Sequence, residues 1–205
     1  MPKSENKKDG KWILAKKQFE ENKAGWKKSF FDGFSQDENS APLPWMTYPF
    51  IDFIPSKLNR NTTIFEFGCG SSTLFFAKKV KKIIALESNP RWFDIMSRKL
   101  FEFEIKNVEL ILMPDALENS DYENFAKNSS QKFDFIFIDS LKRFECAKNS
   151  ISAINIDGAI VLDDSERKSY KKIFDFFAEN NFQKQDFFGI APGQIRIKNT
   201  TVFWS

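Results

Sequence analysis

Short apolar runs alternate with amphipathic stretches along the chain from residue 62 onward. The apolar runs are four to six residues long and rich in β-branched and aromatic side chains, as buried strands are. The stretches between them have helical periodicity or turn-forming residues. This alternation predicts an α/β fold with parallel strands joined by crossover helices. The predicted strands are Thr63–Phe67, Lys82–Leu86, Val108–Leu112, Phe133–Ile138 and Ala159–Leu162.

The last part of the chain has another pattern. Phe182–Phe188 and Thr200–Trp204 predict two further strands, and the segment between them contains glycine and proline instead of helical periodicity. A connection of this kind suits an antiparallel pair. Earlier in the chain, the pattern predicts a turn at Asp157-Gly158 and helices at about Pro90–Phe103, Tyr122–Ser129, Phe144–Ile154 and Lys168–Asn180.

The segment before residue 45 differs from the rest of the chain. Residues 1–30 are polar with loosely helical apolar spacing, and Gly33–Pro44 is rich in turn formers. We therefore assign residues 1–44 to a polar, helical N-terminal extension and residues 45–205 to the main domain. Because residues 1–30 precede the alternating pattern, we expect them to be dispensable for folding.

An aromatic stretch between two prolines precedes the first predicted strand. It is Pro44-Trp45-Met46-Thr47-Tyr48-Pro49. Pro49 fits the first turn of a helix, and Pro55 should end that helix. The stretch predicts a short helix that could cap a ligand site.

The first predicted strand runs directly into Gly68-Cys69-Gly70, and a helical pattern follows. A strand that turns through glycines into a helix is the first unit of a nucleotide-binding fold. Glycines let the backbone turn sharply and let a ligand approach closely. The dinucleotide pattern requires a third glycine, where this chain has Thr73. Glu66 at the strand end would repel a pyrophosphate and attract a cationic amino group.

Carboxylates follow four of the predicted strands: Glu66, Glu87, Asp139 and Asp163. Ligands of open parallel sheets bind at the carboxyl ends of the strands, so these acids should line one edge. Glu87 lies 17 residues after Gly70, a position from which an acid accepts hydrogen bonds from both hydroxyls of a ribose. The sequence therefore predicts a nucleoside site.

Composition excludes several classes of chemistry. The chain has no histidine, which excludes Ser-His-Asp and Cys-His catalysis and histidine-ligated metals. Proton transfer is left to Asp, Glu, Lys, Tyr or water. Cys69 and Cys146 cannot form a disulfide scaffold or a zinc site, so a reducing cytoplasm is expected. We see no signal peptide, and the apolar runs are far shorter than the roughly 20 residues that span a membrane.

Positive charge is concentrated at the start of the chain. Residues 1–28 contain nine lysines and four acids, whereas the remainder contains 22 basic and 24 acidic residues. A lysine-rich terminus is usually a solvated segment. An arm that binds a polyanion is the alternative.

Taken together, Glu66-x-Gly68-x-Gly70, Glu87, Asp139 and the antiparallel last pair resemble class I S-adenosylmethionine-dependent methyltransferases over about residues 45–205. The resemblance implies a Rossmann-like sheet of seven strands in the order 3-2-1-4-5-7-6, with helices on both faces and S-adenosylmethionine as cofactor. The stretch from Pro44 to Pro49 is similar to small bacterial-type methyltransferases of undefined substrate. The cofactor-binding residues that the resemblance implies are Glu66, Gly68, Gly70, Ser72, Glu87, Asp139 and, at the adenine amino group, Asp115.

The implied reaction is an in-line displacement at the sulfonium methyl, in which the acceptor bonds to the methyl group and S-adenosylhomocysteine leaves. Asp139 and Asp163 are the predicted catalytic residues, since a carboxylate is the most available base in a chain without histidine. Asp139-x-x-Lys142 and Asp163-Asp164 also resemble the magnesium site of catechol-type O-methyltransferases. Asp164 stands where that family has asparagine, and we predict no metal.

We expect a small-molecule acceptor and no nucleic-acid or membrane partner. The strand that ends at Ile138 lacks the Asn/Asp-Pro-Pro-aromatic tetrapeptide of DNA amino-methyltransferases. Three alternatives stay open. The first is an NAD(P)-binding oxidoreductase, which Glu66 disfavours. The second is an RNA methyltransferase, because the lysine-rich start could bind a polyanion. The third is a binding module that shares the fold without catalysis. The sequence indicates no oligomeric state.

Overall fold

The computed structural model describes residues 16–17, 20, 23–114 and 120–205. A seven-stranded sheet forms its centre. The strands are β1 Thr63–Phe67, β2 Lys82–Glu87, β3 Val108–Leu112, β4 Phe133–Ile138, β5 Ile154–Leu162, β6 Gln183–Gly189 and β7 Lys198–Trp204. Their order is β3-β2-β1-β4-β5-β7-β6. Strands β1 to β5 pair in parallel, and β7 is antiparallel to both β5 and β6. The predicted fold class and strand order are confirmed.

Helices cover both faces of the sheet. They are α1 Trp26–Asp32, α2 Tyr48–Phe53, α3 Ser71–Ala77, α4 Pro90–Glu102, α5 Ser120–Asn128, α6 Arg143–Ser150 and α7 Lys171–Glu179, with short 3₁₀ helices at Lys23–Gly25, Ile54–Lys57, Ile151–Ala153 and Lys168–Tyr170. The longest described helix, α4, has 13 residues. In the part of the chain that the structure describes, no helix is both long and apolar enough to cross a bilayer.

The two sides of β1 contribute to two separate hydrophobic cores. Phe65 and Phe67 pack with residues of α5, α6 and α7. Ile64 faces the other way and packs with residues of α2 and α3. Because both faces of a parallel strand are buried, its sequence is a continuous apolar run with one polar interruption, Glu66.

Strand β5 begins earlier than the sequence predicted. It starts at Ile154, and Asp157-Gly158 lies within it instead of forming a turn. A Cβ at Gly158 would lie 2.5 Å from the side chain of Ile154, and the register against β4 shifts between Phe133 and Phe135. The predicted turn is therefore wrong, because an irregular strand segment can carry the same Asp-Gly signal as a turn.

The described residues before residue 45 pack against the main domain. Trp26 in α1 is buried with Tyr48, Ile51 and Ile190. Its indole Nε1 donates a hydrogen bond to the carbonyl of Gln194 at 2.9 Å. The boundary at residue 44 stays a prediction. The burial of Trp26 argues against the expectation that all of residues 1–30 are dispensable for folding.

Candidate functional site

The glycine loop after β1 is fixed against the neighbouring strands. The Gly68 N–H donates to the carbonyl of Leu86 in β2, and the Asp139 N–H donates to the carbonyl of Phe67. Gly68 has φ 95°, and a Cβ there would lie 2.5 Å from the Asp139 carbonyl oxygen. Gly70 is extended, and a Cβ there would meet no protein atom within 4 Å. The first glycine is therefore required by packing, and the second borders open space.

A cavity of about 220 Å³ lies in front of this loop. It is bordered by the end of β1, the glycine loop, the start of α3 and α4, the end of β4 and the segment before α2. Its lining residues are Phe34, Trp45, Met46, Glu66, Phe67, Gly68, Cys69, Gly70, Ser71, Ser72, Trp92, Phe137 and Asp139. Five of the predicted site residues therefore surround one cavity: Glu66, Gly68, Gly70, Ser72 and Asp139.

Glu66 is buried in the wall of this cavity with half of its carboxyl group unpaired. Its Oε1 accepts a hydrogen bond from the Ser72 hydroxyl at 2.9 Å. Its Oε2 has no hydrogen-bond partner among the described residues. Burial raises the pKa of Glu66 to about 7, against the opposing effect of the Thr73 and Ser72 hydroxyls, and the charge of Asp139 raises it further. The unpaired oxygen is a site for a hydrogen-bond donor or a cation.

A second cavity, of about 450 Å³, contains Glu87. Glu87 Oε1 accepts from the N–H of Asn89 at 2.8 Å, and Oε2 accepts from the N–H of Cys69 at 3.4 Å. The Trp92 indole donates to the Cys69 carbonyl at 2.8 Å and ties the glycine loop to α4. The two cavities share Gly68, Cys69, Trp92 and Asp139, so they adjoin along the glycine loop.

The segment before β1 forms one side of the first cavity. Trp45 donates its indole hydrogen to the carbonyl of Pro192 at 2.8 Å, which fixes it to the connection between β6 and β7. The Lys99 ammonium in α4 lies 4.3 Å from the ring centroid of Phe34. Trp45 and Met46 line the cavity, whereas Tyr48 and Phe50 of the same segment are buried in the hydrophobic cores, so a capping role stays a prediction. Phe34 was not predicted, because a single aromatic residue among turn formers carries no signal.

The two predicted catalytic acids lie in different environments. The side chain of Asp139 is 53% exposed, lines both cavities and is hydrogen-bonded by Arg143. Asp163 is 2% exposed and lines neither cavity. It accepts hydrogen bonds from the Lys198 ammonium and from the Thr200 hydroxyl, the latter at 2.8 Å. Of the two acids, only Asp139 faces the space where a ligand can bind.

Lysine and arginine side chains form ion pairs with Asp163 and Asp164, the acids that resemble a magnesium site. Asp164 is paired with Arg167, with Arg196 at 3.1 Å and with Lys198 at 2.8 Å. Lys198 is 1% exposed and also donates to the Trp45 carbonyl at 3.2 Å. Burial alone would raise the pKa of Asp164, but Lys198 and Arg167 outweigh it and hold this pKa below its usual range.

Magnesium requires free oxygen ligands. Because Lys198 already pairs with both Asp163 and Asp164, these carboxylates do not fit a magnesium ion. Among the described residues, no group of three or more acidic, cysteine or histidine side chains could hold a metal. Lys198 was missed by the sequence reasoning because it lies 35 residues from Asp163 in the chain.

One predicted residue cannot be placed. Asp115, expected at the adenine amino group, lies outside the described residues. Arg143 is a site residue that the sequence did not indicate. It begins α6 and meets Asp139 across the non-helical residues 140–142, so no helical spacing pointed to the pair.

Comparisons with known proteins support the fold. No protein-family model matches the chain. Over 74 residues it is 41% identical to the probable ribosomal RNA small subunit methyltransferase A of Methanosphaera stadtmanae, a match that covers 35% of this chain and only 27% of that protein.

Two solved structures share the architecture over most of their length. The O-methyltransferase of Bacillus cereus, in complex with SAH (S-adenosylhomocysteine), has a TM-score of 0.63 at 17% identity. The match covers 74% of this chain and 76% of the Bacillus cereus chain. An rRNA methylase of Streptococcus thermophilus has a TM-score of 0.58 at 16% identity, with 77% and 95% covered. The chain thus has the fold of class I S-adenosylmethionine-dependent methyltransferases, as the motifs predicted.

The comparisons also correct one expectation. We expected a small-molecule acceptor and no nucleic-acid partner. The rejection of nucleic acid is wrong, because the curated relative is named a ribosomal RNA methyltransferase and a structural neighbour is named an rRNA methylase, while another neighbour is named an O-methyltransferase. The missing DNA-methyltransferase tetrapeptide excludes one type of nucleic-acid enzyme and leaves RNA enzymes open.

Proposed function

We propose that the chain is an S-adenosylmethionine-dependent methyltransferase. The observation that carries the proposal is the buried, unpaired Oε2 of Glu66 beside the glycine loop. A cationic amino group would satisfy this oxygen, whereas a pyrophosphate would be repelled by it. Glu87 lines the adjoining cavity, and its carboxylate would accept hydrogen bonds from ribose hydroxyls. The methyltransferase names of the relative and of the structural neighbours support the same reading.

The residues around the first cavity bind and shield the cofactor. When bound, S-adenosylmethionine supplies a methyl group on a positively charged sulfur. Glu66 and Ser72 bind its amino end, and the glycine loop lets the ligand approach the backbone. Phe34, Trp45 and Met46 exclude water from that side of the cavity. Fixed placement of both reactants lowers the entropic part of the barrier to methyl transfer.

Asp139 is the residue that takes the proton from an acceptor hydroxyl or amine. It lies on the wall that both cavities share and keeps an exposed carboxylate oxygen. Arg143 donates a hydrogen bond to its Oδ1 and fixes its orientation. Asp163 has a positioning role, since it holds the ammonium of Lys198, which in turn holds Trp45.

RNA is the acceptor class with the most support. The names of the curated relative and of one structural neighbour both give ribosomal RNA as the substrate. The excess of lysine over acid in residues 1–28 suits a phosphate backbone. No residue that lines either cavity points specifically to a small hydroxylated acceptor.

Calorimetry with S-adenosylhomocysteine and the full chain tests the proposal. We expect binding, and we expect Glu87→Ala to weaken it by about 1.5–3 kcal/mol, the usual contribution of hydrogen bonds to a charged group. Glu102→Ala is the control, because Glu102 is exposed at the end of α4, outside both cavities. Binding of NADH without binding of S-adenosylhomocysteine would refute the proposal and favour the oxidoreductase alternative.

A further inference from the structure

Cationic residues stand before four neighbouring strands at the edge of the sheet opposite the glycine loop. Arg60 precedes β1, Lys81 precedes β2, Lys106 precedes β3 and Lys132 precedes β4, and all four are exposed. Because the strand order is β3-β2-β1-β4, these residues form a row with one cation per strand. Neighbouring strands lie about 4.8 Å apart, so the row has a regular spacing. We call it the amino-edge row.

The loops that carry the row are tied to one another. The Lys81 N–H donates to the Thr62 carbonyl at 2.8 Å, in the loop that contains Arg60. The Asn107 side chain, next to Lys106, donates to the carbonyls of Ala77 and Val80 at 2.9 and 3.0 Å. These contacts fix the loops relative to the sheet, so the row is a built surface.

Charge in these loops is almost entirely positive. The loops 54–62, 78–81, 103–107 and 129–132 contain a single acid, Glu104. Beside the row they contain Lys57, Lys78 and Lys79, which brings the cations to seven. In the described part of the chain, no salt bridge involves any of the seven. The Lys132 ammonium donates a hydrogen bond to the Ser152 carbonyl, which leaves its charge unneutralised. The charge of all seven is therefore available to a partner.

Aromatic and amide groups accompany the cations. The Lys57 ammonium lies 5.8 Å from the ring centroid of Trp204. Both residues line a cavity of about 410 Å³ with Asn59, Asn61, Thr62, Asp134, Phe135 and Asp157. Aromatic rings stack with bases and amides bond to their edges, so these groups favour nucleic acid. Binding to an anionic lipid surface would require an apolar anchor beside the charges.

We propose that the amino-edge row binds the phosphate backbone of single-stranded RNA. The choice of RNA over DNA rests on the proposed function, whereas the polyanion chemistry stands on the row itself. The row and the glycine loop lie at opposite ends of β1, whose five residues span about 17 Å. The row is thus a second contact region, separate from the cofactor cavities.

Fluorescence anisotropy with a labelled single-stranded RNA and the full chain tests this assignment. The row variant combines Arg60→Gln, Lys81→Gln and Lys106→Gln, and the matched control combines Lys168→Gln, Lys171→Gln and Lys172→Gln. Both variants remove three exposed positive charges. The control charges lie in the 3₁₀ helix before α7 and in its first turn, and Lys171 is paired with Asp175. We expect the row variant to bind at least tenfold more weakly. Its slope of log affinity against log salt should be smaller by about 2, and the control should match the original chain.

Each other outcome would overturn the proposal. No RNA binding by the original chain at low salt, or equal losses in both variants, would show that this edge is not a binding surface. Stronger binding to vesicles of anionic lipid, or to single-stranded DNA, would assign it to another partner. Thermal melting confirms that both variants are folded. Binding of S-adenosylhomocysteine should be unchanged in the row variant, so failure of the proposed function and failure of this inference are distinguishable.

Discussion

Glu66 is the residue whose charge state makes the first cavity sensitive to pH. Its pKa is raised from 4.5 to about 7 by burial. In the chain without ligand, this shift stabilises the folded state fully below about pH 4.5, and the contribution is lost as the pH rises through about 7. A ligand ammonium needs the carboxylate form, so ligand binding and proton release from Glu66 are linked.

We therefore expect the affinity for S-adenosylhomocysteine to increase as the pH rises toward about 8. Below the pKa of Glu66 the affinity should fall by up to about tenfold per pH unit, because the proton must leave before the ammonium can pair. Calorimetry across this range measures the effect. Glu66→Gln cannot titrate and should bind weakly with little pH dependence. An affinity that does not change with pH in the original chain would mean that Glu66 does not meet the amino group.

The sequence indicated both motif glycines, Gly68 and Gly70, but it did not indicate that each has a different structural role. The strand-to-glycine pattern indicated a ligand loop, and the glycines were expected to allow a sharp turn and a close approach of the ligand. The positive φ of Gly68 agrees with the sharp turn, but its close neighbour is the carbonyl of Asp139, a residue of another strand end. Only Gly70 borders open space. A contact between strands far apart in sequence has no local signal, so the sequence could not separate the two roles.

At the scale of elements, α1 joins the N-terminal segment to the rest of the molecule. Trp26 is 2% exposed, stacks on Phe30 and bonds to the connection between β6 and β7. A Cβ at Gly193 in that connection would lie 2.7 Å from the backbone of α1, which shows how closely the two segments pack. The same connection also accepts a hydrogen bond from Trp45, which lines the first cavity. The position of α1 therefore affects one wall of that cavity.

Trp26→Ala should therefore destabilise the protein strongly. Removing a buried tryptophan typically costs about 3–5 kcal/mol in the free energy of unfolding. Urea unfolding of the full chain measures this cost. Phe31→Ala, on the same helix, is the matched control, since Phe31 is 71% exposed. It should change the free energy by no more than about 0.5 kcal/mol. Equal stability of the two variants would restore the expectation that residues 1–30 are dispensable.

Elements with a simple pattern were predicted well, and irregular ones were not. β1, β3 and β4 have the predicted bounds. In β1 and β4 both faces are buried, so the apolar run ends where burial ends. β3 is an edge strand that is only partly buried, yet its apolar residues still mark its bounds. β5 was misjudged, because its first residues include exposed Ile156 and the Asp157-Gly158 pair. Ile154 pairs with Phe133 and Ala159 with Phe135, so the residues between them are held in the strand from both sides, which overrides their turn preference.

At the scale of the whole molecule, an ionic cluster joins elements that are far apart in sequence. Lys198 at the start of β7 pairs with Asp163 and Asp164 after β5 and bonds to Trp45 before α2. Arg143 at the start of α6 bonds to the Asp163 carbonyl. The sequence predicted that strand-end acids would share one edge. It could not predict their partners, because charge pairing over such separations leaves no periodic pattern.

This cluster predicts the behaviour of a Lys198→Met variant. The substitution leaves two buried carboxylates without their ammonium, and breaking a buried pair in this way typically costs about 3–5 kcal/mol in unfolding free energy. Lys184→Met, which removes a 50% exposed lysine paired with Asp186 in β6, should cost at most about 1 kcal/mol. Urea unfolding compares the two variants.

The same cluster predicts that methyl transfer does not depend on magnesium. Because the Lys198 ammonium is paired with the carboxylates that magnesium would need, methyl transfer by the original chain should survive EDTA. Inactivation by EDTA with recovery in magnesium would show that a metal displaces Lys198 from these carboxylates.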